Sequence, residues 1–268
     1  MKNPKYLYHY TSIDTLALIL KNRTIRFNKL TNTDDPDESK ANDYDKPGRY
    51  MFVSCWMDGD EESIPMWNMY SKRSSGIRIK LPFFPFENYN LDNIHVLSLF
   101  ATNNQYNIPI KHIINDKYIV SPPILCNYIE YTNDKEKLLP TIQKITKETY
   151  TFILGDVGIY KRKAWEFQKE YRYRIMVFPA GLKQFDELDA NYVNSIANTI
   201  QNNILKNVDL PIDYIDLEIH NEAFEKMEIT LGPNTTHSDE IIVNLLVKEY
   251  NPHAKVEDSE LKNKVLFR

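Results

Sequence analysis

The sequence predicts an α+β protein with mixed, mostly antiparallel sheets and flanking helices. Segments in which aromatic or β-branched residues alternate with polar ones recur along the chain, as expected of strands with one buried face. Between them lie segments whose apolar residues follow the i, i+3, i+4 spacing of amphipathic helices. The 18 Tyr and 12 Phe against only 7 Gly favour a sheet-rich over a loop-rich protein.

The chain opens with a predicted strand and a predicted helix. The alternation in Tyr6–Thr11 places His9 and Thr11 on one face of the strand. Ser12 offers a side-chain oxygen that can cap the following helix, which stops near Asn22. His9 is therefore predicted to be a strand residue.

A second strand and an acidic turn follow. Thr24–Asn28 alternates, with Arg26 facing away from the apolar residues. The acidic turn Asp34–Glu38 then begins a polar loop that runs to Gly48. The sequence leaves two interpretations open: a solvated charged loop, or carboxylates that orient a cationic group or a metal near His9.

A strand-helix-strand unit is predicted next. Its strands are Tyr50–Trp56 and Ile77–Leu81, and Ser63 can cap the short helix between them. Trp67 and Tyr70 share a face of that helix because they are three residues apart. They are either part of an aromatic core or a platform on which a nicotinamide or adenine ring stacks.

A late strand is predicted to begin at Glu170. Alternation places Glu170, Arg172 and Arg174 on one face of it and an apolar core on the other. Glu170 is either half of a structural ion pair with Arg172, Arg174 or a cross-strand Lys, or a functional carboxylate.

Further elements are predicted in the rest of the chain. Helices are predicted at Leu139–Leu154, at Asp186–Leu205 and after Ser238 as the N-cap. Strands are predicted within 207–220, at Met227–Leu231, at Lys255–Glu257 and at Val265–Arg268. Residues 82–131 are predicted to be irregular, with one or two strands.

Composition argues against several classes of protein. The 33 basic and 37 acidic residues give a net charge of -4. Tight non-specific binding of nucleic acid needs a strongly basic surface, which this charge balance does not supply. No apolar run approaches a membrane span, and the N-terminus lacks the apolar region of a signal peptide, so we expect a cytoplasmic protein without membrane contact. Cys55 and Cys126 lack Cys-x-x-Cys spacing. We expect one domain over residues 1–268, with insertions at about 82–160 and 181–226.

Several motifs resemble the bacterial "domain of unknown function 2971" family. They are the opening LYHYTS, Met66-Trp67 followed by Tyr70, the later Trp165, Glu170 and Arg172, and the turn Gly232-Pro233. Two positions depart from the usual pattern, since Asp34 stands where Asn is usual and Gln168 where the first of two Glu is usual. The resemblance implies no settled activity and leaves Glu170 as the single candidate carboxylate.

A more distant resemblance is to ADP-ribosyltransferase-like enzymes, whose first strand often carries His followed by Thr or Ser, as His9 and Thr11 do here. It implies an ADP-ribosyltransferase-like core with NAD, a small-molecule nucleotide, as cofactor and no metal. The implied activity is ADP-ribose transfer or NAD cleavage, in a stress or phage-defence setting. The acceptor, a protein or a nucleic acid, stays open, as does the oligomeric state.

The same resemblance implies roles for particular residues. Glu170 would be catalytic, because a fixed carboxylate can bind the ribose 2′-hydroxyl and offset the charge of an oxocarbenium-like sugar. Tyr70 would stack on the nicotinamide. NAD would be held by His9 on the adenosine ribose, by Arg26 or Arg172 on the pyrophosphate, and by Thr11 and Trp67.

Two other functions stay open at this point. A non-catalytic module would bind a nucleotide or a protein partner through the surface formed by Trp67 and Tyr70. A metal-dependent hydrolase would use His9 together with the acidic turn Asp34–Glu38. The sequence has no P-loop, GxGxxG, HExxH or GxSxG motif.

Overall fold

The computed structural model describes residues 3–90, 105–113, 115–146, 150–181 and 190–265. The strands of these residues are β1 (Tyr6–Thr11), β2 (Thr24–Lys29), β3 (Met51–Met57), β4 (Ile77–Pro82), β5 (Tyr89–Asn90), β6 (Gln105–Tyr106), β7 (Ile119–Tyr128), β8 (Glu130–Thr132), β9 (Gln143–Ile145), β10 (Tyr150–Phe152), β11 (Tyr160–Arg162), β12 (Glu170–Phe178), β13 (Tyr214–Glu218), β14 (Glu228–Leu231) and β15 (Lys255–Asp258). The helices are α1 (Ile13–Asn22), α2 (Ile64–Tyr70), α3 (Ile110–Ile113), α4 (Lys135–Leu138), α5 (Ala190–Leu205), α6 (Asn221–Glu225) and α7 (His237–Tyr250).

One large sheet organises these elements. Seven of its nine strands follow the order β13-β2-β3-β1-β4-β14-β15, and β12 and β7 extend it from β3. Every neighbouring pair in it is antiparallel except β14 and β15. Three two-stranded sheets lie outside it. The predicted α+β class, with mostly antiparallel sheets and flanking helices, is confirmed.

The large sheet divides at β3. Along one side, β3 pairs with β12 over Met51–Met57. On the other side it pairs with β2 at Phe52 and Val53 but with β1 only at Met57. Within the described ranges, residues 54–56 have no strand partner on that side, so β1 and β2 diverge there and leave an opening.

Helix α1 joins the two diverging strands. The Ser12 side chain accepts a hydrogen bond from the Thr15 backbone N–H, as predicted for an N-cap. Leu16 and Leu20 are buried one turn apart. Arg23 ends the helix in the left-handed conformation, with φ of 55°. Strand β2 therefore starts immediately after the helix, at Thr24.

Strand β12 is buried on both faces. Tyr173, Ile175 and Val177 lie in the main core, as alternation predicts. Glu170 and Arg172 project from the opposite face and are equally buried, at 3% and 0% exposure. Buried charges need partners, and the contacts of these two residues form part of the site described below.

The predicted helix at Leu139–Leu154 is wrong. That stretch contains the antiparallel pair β9 and β10, and residues 147–149 lie outside the described ranges. Ile145, which the helical spacing placed on a buried stripe, is 72% exposed. The segment is rich in Thr and Ile, whose β-branched side chains favour strands over helices.

Other predictions need smaller changes. The cap of α7 is Thr236 rather than Ser238, because Thr236 and Asp239 form a reciprocal capping box. Helix α5 lies inside its predicted range, of which residues 186–189 fall outside the described part. Strands β13, β14 and β15 occur where strands were predicted. The predicted strand at Val265–Arg268 falls outside the described part except for Val265, which is not in a strand.

Among the residues described, no helix combines the length and the apolar character that crossing a bilayer requires.

Candidate active site

A cavity of about 160 Å³ lies beside the opening between β1 and β2. Strand β1, the acidic turn, the end of β3, helix α2 and the segment that leads into β12 all contribute to its wall. The residues that line it are Tyr8, His9, Tyr10, Thr33, Asp34, Cys55, Trp56, Met66, Tyr70, Lys161, Gln168, Glu170 and Arg172.

A groove of about 480 Å³ adjoins this cavity. His9, Cys55 and Tyr70 line both spaces. The groove continues between α1 and β2 as far as Arg26 and Asp216. Cavity and groove together fall within the size of about 300 to 1,000 Å³ that is typical of small-molecule sites.

A buried ionic cluster forms one wall of the cavity. The Glu170 carboxylate accepts hydrogen bonds from Arg172 Nε at 2.6 Å and from Lys161 Nζ at 3.0 Å. Arg172 Nη1 donates to Glu38 Oε2 at 2.9 Å and to the Gly158 carbonyl at 3.0 Å. Two carboxylates thus face two cations, which is the pairing that buried charges require.

Glu170 is held in its ionised form. Burial alone would raise the pKa of this carboxyl, but the adjacent charges of Arg172 and Lys161 lower it to about 2. Glu170 is therefore a carboxylate at any physiological pH. The Cys55 thiol lies beside it, and burial raises the pKa of that thiol, so Cys55 stays protonated.

His9 lines the cavity as a neutral imidazole. Its Nδ1 lies 2.9 Å from the Cys55 carbonyl oxygen, which can only accept a hydrogen bond, so Nδ1 carries the proton. Burial lowers the pKa of the imidazole, so the ring is neutral at pH 7. Nε2 is then the unprotonated nitrogen. The Trp56 ring packs against His9 with 5.1 Å between ring centroids.

Tyr70 contacts the cavity through its hydroxyl. Gln168 Nε2 donates to this hydroxyl at 2.6 Å, and Gln168 Oε1 accepts from Lys161 Nζ at 2.8 Å. Burial, followed by the neighbouring Asp34 carboxylate, raises the pKa of the Tyr70 phenol. Tyr70 is therefore a neutral hydrogen-bonding group at the mouth of the cavity.

The carboxylates of the acidic turn diverge. Glu38 is buried against Arg172, whereas Asp37 pairs with Lys40 and Arg162 on the surface. Asp35 accepts a hydrogen bond from the Asp37 backbone N–H. Glu38 thus orients Arg172, a cation that lines the same cavity as His9, whereas the cations paired with Asp37 lie on the surface. Within the described ranges, no cluster of three or more His, Cys, Asp or Glu could hold a metal ion.

The predicted site residues separate into three groups: residues that line the cavity, residues that line only the groove, and Trp67, which lines neither. His9, Tyr70, Glu170 and Arg172 meet in the cavity. Thr11 and Arg26 line only the adjoining groove, and Arg26 already forms a two-point ion pair with Asp216 at 2.8 and 2.9 Å.

Trp67 is the one predicted site residue that lies behind the cavity wall. It is fully buried, its Nε1 donates to Glu62 at 2.7 Å, and its ring meets Tyr10 edge to face. Trp67 therefore supports the wall, and its ring is not an accessible stacking platform.

The sequence did not single out Lys161, Cys55 or Glu38 individually. Lys161 lies within a run of basic residues that resembles any solvated surface segment, and Cys55 lies within an apolar strand. The one sequence signal for Glu38 was its place in the turn Asp34–Glu38, whose five residues are all Asp, Glu or Pro. No local spacing marks these residues as neighbours of Glu170.

The fold and the site define an α+β protein with a cavity and an adjoining groove, together ligand-sized, at a division in its sheet. Residues 66–173 match the model of a family described as protein of unknown function (DUF2971), which confirms the predicted family resemblance. The matched range contains Tyr70, Gln168, Glu170 and Arg172, while His9 precedes it. No curated protein and no solved structure matches the chain.

Proposed function

We propose that this protein binds NAD at the cavity and cleaves the bond between nicotinamide and ribose, passing ADP-ribose to water or to an acceptor. The observation that supports this most is the meeting of His9, Tyr70 and an ionised Glu170 in one cavity. An ADP-ribosyltransferase-like core is part of the same proposal.

The chemistry requires a fixed negative charge. When the bond between the ribose C1′ and the nicotinamide nitrogen breaks, its electron pair leaves with the nicotinamide, which becomes neutral. The ribose becomes an oxocarbenium-like cation that a nearby carboxylate stabilises. The acceptor oxygen then bonds to C1′ and loses its proton to solvent. Glu170 is suited to this task because it needs no deprotonation at neutral pH.

The neighbours of Glu170 would orient it. Arg172 and Lys161 fix its two oxygens from different directions, and preorganisation of this kind lowers the reorganisation needed in the transition state. His9 Nε2 would accept a hydrogen bond from a ribose hydroxyl. In the groove, Arg26 would reach the pyrophosphate only by sharing its guanidinium with Asp216.

Release of nicotinamide tests the proposal directly. The protein is incubated with NAD, and free nicotinamide is measured by chromatography for the wild type and for Glu170→Gln. We expect the variant to lose about 100-fold or more in rate, as with other losses of transition-state electrostatics. Glu166→Gln, at an exposed position four residues earlier, is the matched control and should keep the wild-type rate. Equal rates for Glu170→Gln and the wild type would refute the role of Glu170.

A second function has its own supporting observation. Both oxygens of Glu170 are already bound by cations, which weakens the carboxylate's field at a ligand and suits a non-catalytic nucleotide-binding module. This alternative predicts NAD binding by calorimetry without release of nicotinamide. Wild-type turnover that depends on Glu170 would exclude it.

A further inference from the structure

Three side chains of the cavity form a hydrogen-bond chain with a fixed direction. The Lys161 ammonium has donors only, so the Gln168 atom 2.8 Å from it must be the amide oxygen. The Gln168 amide nitrogen therefore faces the Tyr70 hydroxyl, 2.6 Å away, and donates to it. Lys161 and Gln168 are both buried, so water does not compete for these contacts.

This hydrogen-bond chain determines where the Tyr70 proton points. Because the phenol oxygen accepts from Gln168, its own O–H must be directed elsewhere. The neighbouring acceptor is the carboxylate of Asp34, an exposed residue that also lines the cavity. Tyr70 is thus a hydrogen-bond donor at the cavity mouth, beside the Asp34 carboxylate.

We propose that Gln168 is a positioning residue that fixes Tyr70 as a donor for an uncharged acceptor oxygen of the ligand, such as a carboxamide carbonyl. Asp34 lines the cavity beside Tyr70, and its negative charge disfavours an anionic acceptor at this point. The ligand class rests on the proposed function, in which the nicotinamide carboxamide supplies the oxygen. The donor-to-acceptor direction of the hydrogen bonds from Lys161 through Gln168 to Tyr70 rests on the geometry alone.

Gln168→Glu tests the direction with almost no change of shape. The new carboxylate accepts from Lys161, so a buried ion pair replaces the neutral contact. It also accepts from Tyr70, so the phenol proton turns away from Asp34 and from the ligand. Asn68→Asp is the matched control, because it adds one negative charge at an exposed position of α2, the helix that carries Tyr70.

The first measurement needs no ligand. Unfolding equilibria are measured for Tyr70→Phe, Asp34→Ala and the double variant, in the wild-type and in the Gln168→Glu background. In the wild-type background we expect the effects of Tyr70→Phe and Asp34→Ala on the unfolding constant to be coupled. The effect of the double variant should differ from the product of the two single effects by about three- to tenfold. In Gln168→Glu, and not in Asn68→Asp, this coupling should disappear. Coupling that persists unchanged in Gln168→Glu would overturn the proposal.

The second measurement uses NAD and calorimetry. Tyr70→Phe should weaken NAD binding by about tenfold in the wild type, since it removes one hydrogen bond, and should have no further effect in Gln168→Glu. An equal loss in both backgrounds would also overturn the positioning role. If the wild type does not bind NAD, the proposed function fails, while the unfolding cycle still decides the role of Gln168.

Discussion

Glu170 is a buried residue that contributes to stability and, in the proposed function, also to chemistry. Its carboxylate lies between Arg172 and Lys161, and removing one member of such a buried cluster leaves a charge without its partner. The same cluster keeps Glu170 ionised, which the proposed reaction requires. A single substitution at this position should therefore have a thermodynamic signature that is separate from its effect on activity.

The difference in stability between the wild type and Glu170→Gln should depend on pH in a defined direction. The folded pKa of about 2 lies below the ordinary value of 4.5, so the ionised carboxylate stabilises the folded protein above about pH 4.5. This stabilisation is lost as the pH falls through about 2. At pH 7 we expect Glu170→Gln to lower the free energy of unfolding by about 3 kcal/mol.

Urea unfolding of Glu170→Gln and the wild type between pH 7 and pH 2.5 measures this dependence. The difference between the two proteins should stay constant down to about pH 4.5 and then shrink. A difference that grows toward low pH would contradict the assigned pKa of Glu170. Glu166→Gln, an exposed change of the same type, controls for the loss of one negative charge.

Individual elements were predictable where local signals agreed with the tertiary fold. Helix α1 has a cap, an apolar stripe and a clear end within a dozen residues, so its prediction is confirmed. The 139–154 stretch shows the opposite, because its apolar spacing suits a helix while its β-branched residues suit strands, and the strands form. Strand β7 contains Pro122 and Pro123, which mask its strand signal, and its pairing with β12 shifts register near them.

Helix α2 depends on a contact that its own sequence does not reveal. The Glu62 carboxylate accepts hydrogen bonds from Trp67 Nε1 and the Glu260 backbone N–H, each at 2.7 Å, and from the Ser259 hydroxyl. This one side chain therefore fastens the start of the helix to the C-terminal segment. Tyr70 lies at the other end of the same helix.

Replacing Glu62 should destabilise the protein through the donors it leaves unpaired. We expect Glu62→Ala to lower the free energy of unfolding by about 2 to 3 kcal/mol, because the buried indole N–H of Trp67 loses its charged acceptor. Urea unfolding measures the change, and Glu61→Ala, at the exposed neighbouring position, should cost less than about 0.5 kcal/mol. Equal stability of the two variants would show that the Glu62 contacts contribute little.

The arrangement of the whole sheet could not be predicted from the sequence. Alternation identifies β1, β2 and β3 as strands, but it does not show that β1 and β2 pair with opposite ends of β3. The cavity arises from that divergence. The pairing of Arg172 with Glu38 likewise joins distant parts of the chain, and a single sequence carries no local signal for such contacts. The resemblance pointed to four site residues that line the cavity, and the structure shows which residues surround them.

A ligand in the cavity should stabilise both sides of the divided sheet at once. NAD bound there would contact β1 through His9 and the end of β3 at Cys55. Hydrogen exchange with and without saturating NAD should therefore slow by about tenfold or more in Tyr6–Thr11 and in residues 54–56, since binding reduces local opening. Strand β15 is an edge strand distant from β3 in the sheet order, and it serves as the internal reference that should not change. Protection confined to one side of the division, or equal protection of β15, would contradict a ligand site at the opening between β1 and β2.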